Sequence, residues 1–130
     1  MTLTVKLTAM EDDTDLLGKT AEDLQYGITM KGNKISGTLK HVTDYTNFSS
    51  IPDEQEGHYL AMKYTPSPED AEVHVTLING TVGERTLDED HIMITRITDP
   101  STQKIKVRVT TDDAESDPMI YDISGLVLEE

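Results

Sequence analysis

The segment 104–109, KIKVRV, alternates basic and apolar residues without a break. A period of two belongs to a β-strand, whose successive side chains point to opposite sides, so Ile105, Val107 and Val109 face one way and Lys104, Lys106 and Arg108 the other. A helix would scatter both sets around its circumference. The same alternation places Leu3, Val5 and Leu7 on one side of the first strand, with Thr2, Thr4, Lys6 and Thr8 opposite. In EVHVTLI (72–78) it turns Val73, Val75 and Leu77 inward. Further strands are expected at 26–31, 34–42, 58–64, 91–97 and 118–128.

Between these strands lie KGNK (31–34), INGTVGE (78–84) and TDPSTQ (98–103), rich in residues that accept positive φ or preset a turn. Each is expected to make a hairpin. Thr20 precedes AEDLQ with Asp23 three residues on, a capping-box spacing that predicts one short helix. About eight short strands joined by tight turns predict an all-β chain with little helix, folded as an antiparallel β-sandwich, Ig-like or related. Residues 1–23, where MEDDTDLLGK breaks the pattern, are expected to be an N-terminal strand or arm, and 24–130 one sandwich domain.

The chain has 130 residues, 35% of them hydrophobic and 5% aromatic, with no tryptophan. One modest core of Val, Ile, Leu and Met is all it can build, and a partner surface would complete it. Twenty-five acids against eleven bases leave a formal charge of −14, which repels phosphate backbones and anionic lipid heads. Neither nucleic acid nor membrane is an expected partner. Cysteine is absent, so no disulfide, thiol nucleophile or thiolate metal site is available. The start MTLTVKLTAMEDD lacks the basic and apolar regions of a secretory signal, which predicts a protein made in the cytoplasm.

The usual signatures of chemistry are missing. His41, His58, His74 and His91 stand at no spacing that aims two of them at one metal. The acidic groups EDDTD (11–15) and DDAESD (112–117) offer oxygen ligands for calcium but lack the glycine-containing EF-hand loop. No metal and no other cofactor is expected. There is no GxSxG turn, and LLGKT (16–20) is only a fragment of a phosphate-binding loop, with no glycine five residues before Gly18. The expectation is a protein that is not an enzyme and takes no small-molecule substrate.

Two features stand against that plain background. Lys104, Lys106 and Arg108 form a basic stripe, either balanced by acids on a neighbouring strand or free to dock against an acidic patch on a partner or a second copy. Residues 41–65 hold Tyr45, Phe48, Tyr59 and Tyr64, four of the six aromatic residues, around a connection of about fifteen residues. Tyr45, Phe48 and Ile51, spaced by three, are expected to anchor this loop on the core. The alternative is that its Tyr and Asn side chains bind sugar, as in a carbohydrate-binding or adhesin-like sandwich module.

The phrases LQYGITMKGNKISGTLKHVTDYTNFS, EQEGHYLAMKYT, RITDPSTQKIKVRVT and YDISGLVLE occur in that order from about Leu24 onward. Together they resemble small proteins encoded among the structural genes of phages and prophages of Gram-positive bacteria. The resemblance implies a virion protein, a head or capsid accessory of the decoration type, made in the host cytoplasm and working by association with capsid proteins or with itself. It assigns no active-site residue.

Overall fold

The computed structural model describes residues 2–10, 20–43, 56–80 and 83–130. Its elements are β1 (Thr4–Ala9), α1 (Ala21–Leu24), β2 (Gln25–Lys31), β3 (Lys34–Leu39), β4 (His58–Ser67), β5 (Glu72–Ile78), β6 (Arg85–Thr86), β7 (Ile92–Ile97), β8 (Lys104–Thr110) and β9 (Met119–Leu128). Among the described residues the chain is therefore all-β with one helical turn, and its strands form two sheets, as the alternation predicts. One sheet has the order β1-β4-β7 and the other β2-β3-β9-β8-β5-β6. The two-residue strand β6 adds to the set expected from sequence.

The inward residues of the alternating strands meet between the sheets. Ile105, Val107, Val73 and Val75 from the large sheet pack with Leu60, Met62, Tyr64 and Leu7 from the small one, all buried. Most pairings are antiparallel, but β3 and β9 run parallel, from Lys34 opposite Asp122 to Leu39 opposite Leu128. Parallel neighbours need a long connection, and here the whole chain from β4 to β8 intervenes.

The turns divide into two kinds. Lys31 pairs with Lys34 around Gly32, whose φ of +61° suits a residue without a Cβ, and this is the expected hairpin. β5 likewise pairs antiparallel with β6, His74 opposite Thr86 and Val75 opposite Arg85. Residues 98–103 are a correction to the sequence reading, because they carry the chain from β7 in the small sheet to β8 in the large one. What holds this corner is Gln103, buried, whose Oε1 accepts the amides of Thr98 at 3.0 Å and Asp99 at 2.9 Å. Asp99 in turn accepts the Ser101 hydroxyl at 2.6 Å. A compact polar corner and a hairpin use the same residue types, so composition does not separate them.

The small sheet is buried on both faces at the Tyr59–Met62 end of β4, while Lys6, Lys63 and Thr65 leave the rest of its outer face exposed. Tyr59 and Ala61 of β4 and Ile94 of β7 point away from the main core into a second cluster with Ala21, Leu24 and Val42. α1 supplies the first two of these. Its capping box forms as the spacing implies, with the Thr20 amide and hydroxyl each donating to the Asp23 carboxylate at 2.9 Å. Next to it, Gln25 solves a problem of pairing. β1 stops at Ala9 opposite Met62, which would leave the Ala61 backbone without a strand partner on that side. The Gln25 carboxamide replaces one, accepting the Ala61 N–H and donating to the Ala61 carbonyl, both at 2.8 Å.

Candidate docking face of the six-stranded sheet

The large sheet has one face in the core and one turned outward. Lys104, Lys106 and Arg108 lie on the outward face, and strand pairing sets their company. Lys104 pairs with Asp122 of β9 and Ile78 of β5, while Lys106 pairs with Ile120 and Thr76. Asp122 also pairs with Lys34 of β3, which pairs with Lys31 of β2. One row across the sheet thus reads Lys31, Lys34, Asp122, Lys104, with Lys106 in the next row. Lys34 and Lys104 flank Asp122 directly, and Lys31 and Lys106 lie one position further out, so four of the eleven bases of the chain share this corner of the face. Only two of the four were visible as a pattern in the sequence, because Lys31 and Lys34 come from a distant hairpin.

Asp122 is held below the ordinary carboxylate range, first by its hydrogen bonds with Ser124, with added help from Lys104 and Lys34. Its Oδ1 accepts the Ser124 amide at 2.8 Å. It stays ionised and neutralises one of its lysine neighbours.

Arg108 behaves differently from the lysines. Its Nη2 donates to Glu84 at 2.8 Å and its Nη1 to Glu115 at 2.7 Å. The hydrogen bond from Arg108 is the main cause that draws the Glu84 carboxyl below its usual range, and the reciprocal bonds raise Arg108. Arg108 is thereby committed within the molecule. Opposite it in β5 stands His74, buried, with Nδ1 2.8 Å from the Thr86 hydroxyl and Nε2 2.8 Å from the Thr110 hydroxyl. This imidazole ties β6, β5 and β8 together on the outward face.

Three large apolar side chains among the described residues are exposed, Tyr26 at 47%, Ile120 at 40% and Val127 at 59%. All three lie on this same face. Ile120 sits beside Lys106, and the row Tyr26, Thr38, Val127 crosses β2, β3 and β9. The Tyr26 hydroxyl donates to Glu129 at 2.9 Å and Lys40 lies over its ring at 5.7 Å, so both its polar end and its face have a partner. Sequence reasoning missed these three, since an outward apolar residue in a strand looks like any other until its register is known.

The anchors Tyr45, Phe48 and Ile51 lie outside the described residues, as does the EDDTD group. The two ends of that long connection are nevertheless fastened. Val42 and Gly57 exchange backbone hydrogen bonds at 2.8 and 3.1 Å, and His41 stacks on His58 with ring centres 5.2 Å apart. Each ring has its own acceptor, Glu56 at 2.6 Å for His41 and the Glu129 carbonyl at 2.6 Å for His58. Both Nε2 atoms are thus occupied rather than converging on one point. Among the described residues no group of three or more His, Asp or Glu is arranged to hold a metal ion.

At the far end of β8, Asp70, Glu72, Asp112 and Asp113 line an open basin of about 560 Å³ with Thr110 and Thr111. The outward face therefore runs from lysines to carboxylates along the strand direction. Comparison with protein-family models, curated proteins and solved structures finds no match.

Proposed function

We propose that this protein is an association module that docks through the outward face of its six-stranded sheet, and that it serves as a virion accessory protein of a phage or prophage. The observation that carries the docking reading is the gathering of Tyr26, Ile120 and Val127 on the one sheet face that also holds four lysines. Apolar and cationic side chains on a flat, rigid sheet suit a protein partner with carboxylates at the rim of its contact surface. The virion setting rests on the phrases of sequence quoted above, and the Ig-like relationship belongs to the same reading.

Glu84, Asp99 and Asp122 are all drawn below their ordinary range by hydrogen bonds, led by Arg108, Ser101 and Ser124 respectively, so they stay ionised near neutrality and present fixed charges to a partner. The test is mass spectrometry of purified particles from the induced source strain, complemented with the wild-type chain or with the Ile120→Glu/Val127→Glu variant. The expected result is stoichiometric wild-type protein and depletion of the variant. Particles that contain neither refute the virion setting, and equal incorporation of both refutes the docking face.

A further inference from the structure

Resting on that docking reading, we infer that the same face pairs with a second copy of this chain, the two sheets packing face to face with their strands antiparallel. The argument is the charge gradient along β8. At the Lys104 end, Lys31, Lys34, Lys104 and Lys106 outnumber Asp122. Six residues further on, about 20 Å at about 3.3 Å per residue, the sign is reversed. There Arg108 is already matched by Glu84 and Glu115, and Asp70, Glu72, Asp112 and Asp113 surround the basin. A face that is positive at one end and negative at the other is its own complement when turned end for end.

Two such faces related by a two-fold axis bring Lys104 and Lys106 of each copy over the other copy's acidic basin, with Lys31 and Lys34 to one side adding to the positive field. Both contacts form at once, and Ile120, beside Lys106 between the two charged ends, lies nearest the axis and becomes covered. Parallel stacking would set lysine on lysine and acid on acid, so the charges select the antiparallel arrangement. The four strand intervals from β2 to β5 span about 19 Å at about 4.8 Å each, so the strip is small for a protein interface. The pair is accordingly reversible and depends on salt. At physiological ionic strength the repulsion between two chains of −14 is screened beyond about 8 Å, which leaves the apposed lysine and carboxylate groups to decide.

Charge exchange tests this directly. One variant, Lys104→Glu/Lys106→Glu, reverses the sign of the basic end, and another, Asp112→Lys/Asp113→Lys, cancels the charge of the acidic end. The altered side chains lie on the surface, and unchanged thermal midpoints will show that both variants fold. Sedimentation equilibrium should give a monomer and dimer mixture for the wild type that shifts to monomer in high salt. Each variant alone should dimerise roughly tenfold more weakly or worse, and the equimolar mixture of the two should recover the wild-type constant within about threefold. A monomeric wild type at high concentration, a variant that dimerises like the wild type, or a mixture that fails to recover overturns the inference. Species that keep growing beyond the dimer also overturn it, since a closed two-fold pair stops at two. If the wild type proves monomeric while the Ile120→Glu/Val127→Glu variant is still lost from particles, the pairing is wrong and the docking face stands.

Discussion

β4 and β8 are neighbours across the same core, yet they are built on different rules. Along β4, Tyr59, Leu60, Ala61 and Met62 are all buried in succession. Along β8, buried Ile105, Val107 and Val109 alternate with Lys104, Lys106 and Arg108, which keep contact with solvent. β4 is the middle strand of its sheet, and this stretch of it is covered on both sides, inward by the main core and outward by α1 and Val42. β8 lies in a sheet covered on one side only. The small sheet is thus committed to stability, and the outward face of the large one is left for other work.

The comparison is broken most severely at β4. Leu60→Ala should destabilise the protein by about 2–5 kcal/mol, because a fully enclosed leucine leaves a cavity that neither sheet can close. Urea unfolding measures it, and a loss below about 1 kcal/mol would mean that the small sheet is looser than its burial implies. Gln25→Ala follows, since it strands the Ala61 N–H and carbonyl where β1 has already ended. Each orphaned buried backbone group costs about 1–3 kcal/mol. Hydrogen exchange at the Ala61 amide should rise along with the loss of stability, which separates lost pairing from lost packing.

Tyr64→Phe sharpens the contrast with the opposite sign. The Tyr64 hydroxyl is buried with no hydrogen-bond partner among the described residues, and burial, with a smaller effect from Tyr121, pushes its pKa far above the usual phenol value. Removing an unpartnered buried hydroxyl relieves its desolvation, so the variant should be as stable as the wild type or more stable by up to about 1–2 kcal/mol. A clear destabilisation would reveal a hydrogen-bonding partner.

The smallest effect belongs to the outward face of the large sheet. Glu84 is depressed in the folded protein, so its contribution is present above the ordinary glutamate range and is lost as pH falls through the lowered folded value. Glu84→Gln should therefore flatten the acid side of the stability profile slightly and leave little trace in high salt, since exposed ion pairs are weak and screened. Urea midpoints measured across the acid range at two salt concentrations will show it. A large, salt-insensitive change would mean that the Arg108 cluster supports the fold as much as β4 does.

Much of this contrast is legible in the order of the residues alone. Alternation in 104–109 assigns every side chain of β8 to its face, and the unbroken apolar run YLAM at 59–62 is the pattern of a strand enclosed on both sides. The docking face is less legible. Lys31 and Lys34 join Lys104 only through pairings between strands far apart in the chain, and the exposure of Tyr26 and Val127 follows from the parallel register of β3 and β9. The segment 98–103 shows the limit of turn chemistry, which fixes that the chain reverses without fixing which sheet it enters.

The sequence by itself determined the β class, the faces of the regular strands, the turn at Gly32 and the capping box at Thr20, because each depends on residues within a few positions of one another. Only the tertiary structure decided the strand order, which segments cover the outer side of β4, the use of Gln25 as a substitute strand and the approach of Lys31 and Lys34 to Lys104 beside Asp122. These depend on which distant segments become neighbours. That choice is made by the burial of the whole core at once, and local alternation is compatible with many strand orders.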